Sequence, residues 1–166
     1  MMTSIFIIGI GIVMWVLFGY SLSFAPSGNA FIGDFRWLGL EGVSLTEGYT
    51  DDASIPNMVF SAFQMMFAVI TPALITGAVA GRMKFKSIFV FTIFWSLIVY
   101  YPLAHMVWGQ GGLLGADGIG ALDFAGGDVV HISSGVSALV LCILLGKRHD
   151  YEHSIYRIHN IPTVVL

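Results

Sequence analysis

The chain has 166 residues, of which 57% are hydrophobic and 10% are charged, and its formal net charge is -3. A soluble domain carries about 25% charged residues, so this composition excludes a soluble globular enzyme and a disordered linker. The acidic balance excludes a nucleic-acid-binding protein, which would need a basic face. The single cysteine, Cys142, excludes an internal disulfide and a cysteine-rich zinc site. We therefore predict a membrane protein.

Four apolar stretches are long enough to cross that bilayer, because a helix needs about 20 residues to span about 30 Å. They cover approximately residues 4–24, 58–80, 87–108 and 124–145. The runs are continuous rather than alternating, which favours helices over a barrel. The sequence thus predicts an all-α polytopic membrane protein. A signal peptide is the alternative for the first stretch, but its apolar run is too long and no basic residue precedes it.

The basic residues predict the orientation of the chain. Six of the seven Lys and Arg residues lie in loop 81–86 or after Gly146, and loop 25–57 holds only Arg36. Four spans place the first two groups on the same side, which the positive-inside rule makes cytoplasmic. We therefore predict a cytoplasmic N-terminus for this chain and outward-facing loops at 25–57 and 109–123.

Aromatic residues of the second and third stretches form a candidate cation site, in which Phe67 would lie about 14 Å along a helix that starts near Met58. Phe63 and Phe67 are four residues apart, so their rings project from one helical face. Trp108 ends the third stretch, where an ordinary interfacial aromatic belt would also place a tryptophan. A tryptophan beside phenylalanines can hold a small cation through its ring faces. Both interpretations remain open at this point.

Ionisable residues inside a span are costly, so His131 in the fourth stretch is a functional candidate. It lies seven residues into that stretch, about 10 Å below its outer end at the helical rise. The alternative is a histidine that only hydrogen-bonds a neighbouring helix. For His105, nearer the outer end of its span, the structural interpretation is favoured. Asp123 precedes the fourth stretch and could cap its helix.

Six motifs, in order along nearly the whole chain, resemble the ammonium transporter family, which includes the Rhesus glycoproteins. They are 18–24 (FGYSLSF), 62–71 (AFQMMFAVIT), 104–109 (AHMVWG), 121–132 (ALDFAGGDVVHI), 146–148 (GKR) and 159–162 (HNIP). The resemblance implies an eleven-helix, inverted-repeat fold assembled as a homotrimer with one pore per subunit. The four stretches are similar to its second to fifth helices, and residues 159–166 to the start of its sixth. We therefore expect residues 1–166 to be a fragment.

The resemblance also implies roles for individual residues. Trp108, Phe63 and Phe67 would recruit ammonium, and Phe67 would also gate the pore below. His131 would line the conduction path and relay or orient the proton. Asp123 would order the entrance and support cation binding from outside the pore.

These roles make ammonium or ammonia, and methylammonium as an analogue, the expected substrates of a transporter that is not an enzyme. No cofactor, metal or nucleic acid is expected, and a soluble cytoplasmic regulator is an expected partner. Two alternatives stay open. One is an ammonium sensor or regulatory remnant that uses the same site without transport, and the other is a haem protein that ligates iron through His105 and His131.

Overall fold

The computed structural model describes residues 2–26, 28–116, 118–148, 151, 160 and 162. Within these residues four helices are long and apolar enough to cross a membrane: α1 (Thr3–Phe24), α2 (Asn57–Val79), α3 (Phe85–Trp108) and α4 (Gly127–Leu145). The prediction of an all-helical chain with four spans is confirmed, and the observed bounds lie within three residues of the predicted ones. The further span predicted at 159–166 falls outside the described residues, apart from Asn160 and Pro162.

Three of these four helices contain a π-helical segment, which the hydropathy pattern did not predict. The segments are Trp15–Gly19 in α1, Ser96–Tyr100 in α3 and Gly127–Ile132 at the start of α4. A π-helical turn is rare and is found frequently at functional sites. The third segment includes His131, the candidate pore residue.

The half of α1 that ends at Phe24 packs closely against the half of α3 that ends at Trp108, and α2 packs against both α1 and α4. At Gly19 an added Cβ would lie only 2.7 Å from the ring of Tyr101, so only glycine allows this approach. Trp15 of α1 is buried, and its indole Nε1 donates to the carbonyl oxygen of Ser61 on α2 over 3.1 Å. The core is therefore aromatic and lies mainly in the halves of the helices nearest Phe24 and Trp108.

The loop between α1 and α2 is ordered by stacked rings. Trp37 stacks on Tyr20 with ring centroids 5.4 Å apart, and Tyr49 stacks on Phe60 at 4.8 Å. The Tyr20 hydroxyl also donates to Oδ1 of Asn57 at the start of α2. The loop is consequently fixed over the end of α1 and the start of α2, while most of its acidic side chains remain exposed.

Large apolar side chains are exposed along the helices, as expected for surfaces that face lipid or other helices. Within the most apolar stretch of each helix, 22% of α4 is buried, compared with 39–44% in the other three. The helix that carries His131 is thus the least covered of the four.

Candidate functional site

The three aromatic residues predicted for ammonium recruitment form one continuous strip. Phe63 and Phe67 lie one turn apart on α2, with ring centroids 5.2 Å apart and an interplanar angle of 86°. The ring of Phe67 is 5.7 Å from that of Trp108, the last residue of α3. Phe63 is exposed, while Phe67 and Trp108 are partly buried. A cation within about 6 Å of these centroids would be attracted by the ring faces.

The indole of Trp108 is held by the segment that precedes α4. Its Nε1 donates to the carbonyl oxygen of Asp123 over 2.8 Å. Gly126 lies beside it with a φ of 83°, and a Cβ there would come within 2.7 Å of Cγ2 of Val130. A position with a left-handed backbone conformation and so little space for a side chain favours glycine. The position of Trp108 therefore depends on the turn formed by residues 123–126.

The side chain of Asp123 caps α4. Its Oδ1 accepts from the amides of Gly126 and Gly127, each over 2.7 Å, and its Oδ2 accepts from Asp128 over 2.9 Å and Val129 over 3.0 Å. Burial alone would raise the pKa of Asp123, but the four amide donors together outweigh it and lower that pKa below its usual range. The carboxylate is therefore ionised at neutral pH, with its acceptor positions directed to the backbone.

This cap explains why α4 begins at Gly127, three residues later than the sequence predicted. Phe124 and Ala125 form part of the turn that lets Asp123 reach the first amides of the helix. Asp123 thus contacts two functional elements: its side chain holds the start of α4, and its carbonyl holds Trp108.

His131 is the fifth residue of α4, within its π-helical turn. Its amide donates to the carbonyl oxygen of Gly126 over 2.9 Å, a five-residue separation that defines this turn. Its side chain is exposed, while the neighbouring Val129 and Val130 are buried. Among the described residues no ring contact links His131 to the aromatic strip, and Asp123 bonds to Trp108 and to the amides that precede His131 in α4.

His105 is buried and does not belong to this strip. Its Nδ1 lies 3.1 Å from the carbonyl oxygen of Ser23, and its Nε2 lies 2.9 Å from that of Asn29. Both ring nitrogens are therefore occupied, and neither is available to an iron atom. This geometry argues against the bis-histidine haem alternative.

Two further residues, Tyr49 and Gln110, lie beside the site and carried no signal in the sequence. The Tyr49 hydroxyl donates to the carbonyl oxygen of Phe24 over 3.1 Å and accepts from the Gln110 amide over 3.1 Å. The Gln110 Nε2 donates to the Tyr49 carbonyl over 3.0 Å. Both residues line a cavity of about 300 Å³ beside Trp108 and Asp123. Tyr49 lies in an irregular loop, where no periodicity could indicate its partner.

Comparison with known proteins identifies the family to which the chain belongs. The sequence profile of the Ammonium Transporter Family matches residues 1–166. An ammonium transporter of Bacillus subtilis is 56% identical over 138 residues, which are 83% of this chain and 33% of that protein. An ammonium transporter of Mycobacterium tuberculosis is 40% identical over an alignment that covers 99% of this chain and 39% of that protein.

The fold agrees with the same relationship. The crystal structure of Mep2 from Candida albicans superposes with a TM-score of 0.81 at 35% identity, covering 97% of this chain and 35% of that one. The chain thus spans about a third of the length of the relatives it matches. With a profile match over its whole length and relatives this similar, the chain belongs to the ammonium transporter family, a family of multi-pass membrane transporters that are not enzymes.

Proposed function

We propose that this chain supplies the outer entrance and part of the conduction path of an ammonium transporter. Trp108, Phe63 and Phe67 recruit NH4+, and Phe67 gates the path to His131. The observation that carries the proposal is the continuous aromatic strip, in which Phe67 lies 5.7 Å from a tryptophan whose indole nitrogen is bonded to Asp123.

Recruitment by this strip rests on the electrostatics of aromatic rings. Ring faces attract a cation without a formal negative charge, and the attraction grows to about 2 kcal/mol or more once the cation is desolvated. Phe67 contacts Trp108 on one side and Phe63 on the other. A cation at Trp108 would therefore meet the Phe67 ring before any residue deeper along α2, so we assign the gate to Phe67.

Discrimination against potassium requires properties that only ammonium has. The two ions are similar in size and equal in charge, so a ring of carbonyls alone would separate them poorly. Ammonium donates directional hydrogen bonds and can lose a proton. The imidazole of His131 can accept or donate with the passing nitrogen, because histidine has a donor and an acceptor in its neutral form. We therefore assign the conduction or proton-relay role to His131.

Asp123 acts in this proposal through structure rather than through direct contact with the ion. Its carboxylate is directed to four amides at the start of α4, and its carbonyl fixes Trp108. The ionised carboxylate still contributes negative charge near the entrance, which supports cation binding over a short range.

The surroundings of the chain follow from the family and the charge distribution. We propose a cell-membrane location with the N-terminus of this chain cytoplasmic, supported by six basic residues on one predicted side and Arg36 on the other. A homotrimer, a soluble cytoplasmic regulator and transport of methylammonium are proposed from the family resemblance.

The test uses the full-length transporter that contains this chain, expressed in cells lacking ammonium uptake. Trp108→Leu should raise the KM for methylammonium, because it removes the ring face and keeps an apolar side chain. His131→Ala should abolish uptake or its selectivity over potassium. Phe94→Leu is the matched control, since Phe94 is 58% exposed on α3, away from the strip, and should behave as wild type.

The same experiment separates transport from sensing. Uptake that is unchanged in both site variants would contradict the pore assignment. Methylammonium binding to wild-type protein without uptake would instead favour the alternative of an ammonium sensor or regulatory remnant.

A further inference from the structure

A groove of about 450 Å³ lies between α1 and α3, at the end of the molecule opposite the aromatic strip. Its described walls are six apolar residues of α1, from Ile5 to Met14, and Phe89 and Ile93 of α3. At the helical rise, residues 5–14 extend over about 14 Å, which is close to half of a bilayer core about 30 Å thick. The groove therefore has the lining and the length of a site for one acyl chain.

Positive charge is concentrated where this groove meets the start of α3. Lys84 and Lys86 flank Phe85, the first residue of that helix, and both lysines are exposed. The Phe85 ring contacts the Phe6 ring, with centroids 5.1 Å apart, so this end of α3 lies against the wall of the groove. Lys86 and Ile93 are seven residues apart and share a helical face, which places Lys86 on the groove side of α3.

This charge has no acidic neighbour in the three helices around it. Residues 1–33 and 53–116, which include α1, α2 and α3, contain neither Asp nor Glu. Among the described residues no ion pair involves either lysine. Arg82 adds a third positive charge to the same loop, and its Nε is buried without a hydrogen-bond partner in the described part of the chain. An anion at this end of the groove would thus be attracted by three basic residues.

A phospholipid fits these features better than another helix does. A helix is about 10 Å wide and cannot enter between α1 and α3, whose side chains already touch at one end of the groove. An acyl chain can enter, and the lysine stems can lie along apolar surface while their ammonium groups reach a headgroup. The proposed conduction path involves other faces, those of α2 and α4 with Phe63 and His131, and inverted-repeat transporters form that path between their two halves.

We propose that the groove between α1 and α3 binds an acyl chain of one anionic phospholipid, whose phosphate is held by Lys84 and Lys86. In the proposed orientation this lipid belongs to the cytoplasmic leaflet, where anionic headgroups attract basic residues next to a span. The assignment of this face to lipid rests on the proposed function, whereas the binding itself is measured without transport.

The headgroup is tested by native mass spectrometry of the full-length transporter in detergent, titrated with phosphatidylglycerol or with phosphatidylcholine of the same acyl chains. Phosphatidylglycerol should bind more tightly. Lys84→Gln and Lys86→Gln should each weaken its binding about fivefold, the factor expected for one basic residue at an anionic surface, and leave phosphatidylcholine binding unchanged.

Lys147→Gln is the matched control for charge. It removes a basic residue from the same proposed side of the membrane, but at the end of α4, where the Lys147 Nζ lies 5.7 Å from the Tyr151 ring centroid. Its affinity for phosphatidylglycerol should equal that of wild type. Equal losses in all three variants would show diffuse attraction, and no preference for phosphatidylglycerol would exclude an anionic site. Displacement of the lipid by inorganic phosphate alone would also overturn the proposal.

The acyl-chain part is tested with Gly9→Leu. A Cβ at Gly9 meets no atom within 4 Å, so a leucine can fill the groove without disturbing the packing of the helices. We expect phosphatidylglycerol to bind about tenfold more weakly, as for the loss of roughly two buried methylene groups. Val90→Leu is the control, since Val90 is 50% exposed on α3 and does not line the groove. Wild-type affinity in Gly9→Leu would refute the site. A wild type that binds the lipid but fails to transport would contradict only the proposed function.

Discussion

The cap formed by Asp123 permits a test that separates structural support from direct attraction of the ion. In Asp123→Asn one oxygen remains, so the amides of Gly126 and Gly127 keep their acceptor. The new NH2 group would face the amides of Asp128 and Val129, which are themselves donors. In Asp123→Ala all four amides lose their side-chain acceptor. Asp123→Asn therefore removes about half of the cap, and Asp123→Ala removes all of it.

The free-energy cost follows from these bonds. Replacing a capping residue by alanine costs about 0.5–2 kcal/mol in ordinary helices, where one or two amides are capped. With four amides capped by a charged group at the positive end of a helix, we expect about 2–4 kcal/mol for Asp123→Ala and about half of that for Asp123→Asn. The assay is the unfolding midpoint of the full-length protein in detergent, measured together with the KM for methylammonium.

The ranking of the variants decides between the two roles. If Asp123 works by holding α4 and Trp108, both stability and KM should follow the order wild type, Asp123→Asn, Asp123→Ala. If its charge acts directly on the cation, the two variants should raise KM equally, because both are neutral. Equal KM values, or an Asp123→Ala protein as stable as wild type, would refute the structural argument.

The pH dependence of this cap has a definite sign. The pKa of Asp123 is lowered in the folded protein, so the ionised cap stabilises the fold above the usual aspartate pKa and this stabilisation is lost as pH falls through the lowered value. Stability of the wild type relative to Asp123→Asn should therefore be constant in neutral solution and shrink only in strong acid.

Two other predictions concern orientation and the turn before α4. In a Cys142→Ala background, Leu45→Cys should react with an impermeant thiol reagent added outside and Ser87→Cys should not, because the basic residues place loop 81–86 in the cytoplasm. Equal labelling, or labelling at position 87 alone, would overturn this topology. Gly126→Ala should cost about 1–2 kcal/mol in thermal unfolding, because its φ is 83°. Gly135→Ala, at a helical position with open space around it, should be neutral or slightly stabilising, and equal effects of the two changes would contradict the strain argument.

The sequence predicted the helices well because lipid imposes a simple requirement. A span must be long and apolar, and that condition can be read from composition alone. The π-helical turns at 15–19, 96–100 and 127–132 escaped prediction because they depend on contacts between helices. The approach of Gly19 to Tyr101, for example, joins residues 82 positions apart and leaves no local pattern.

The candidate site could be predicted only in part, because contacts within one helix follow a local sequence pattern and contacts between helices do not. Phe63 and Phe67 share a helical face by spacing alone, and their contact follows from it. The contact of Phe67 with Trp108 joins two helices and was available only through the family resemblance. The cap formed by the Asp123 side chain could be anticipated from its place before the fourth stretch, but the bond from its carbonyl to Trp108 was not predicted, because it crosses a turn whose shape depends on Gly126.

That double contact bears on how the proposed entrance and the proposed conduction path would be coupled. Trp108 ends α3 and His131 lies on α4, and one residue, Asp123, is bonded to the first side chain and to the start of the second helix. Any shift of the α4 start relative to the end of α3 must therefore break cap bonds, break the bond from Trp108 to the Asp123 carbonyl, or displace the indole. The cap holds the start of α4, while the rest of that helix packs against α2. The entrance ring and the helix of the candidate pore histidine are thus expected to move together, which is why the rank order of the Asp123 variants should appear in affinity and in stability alike.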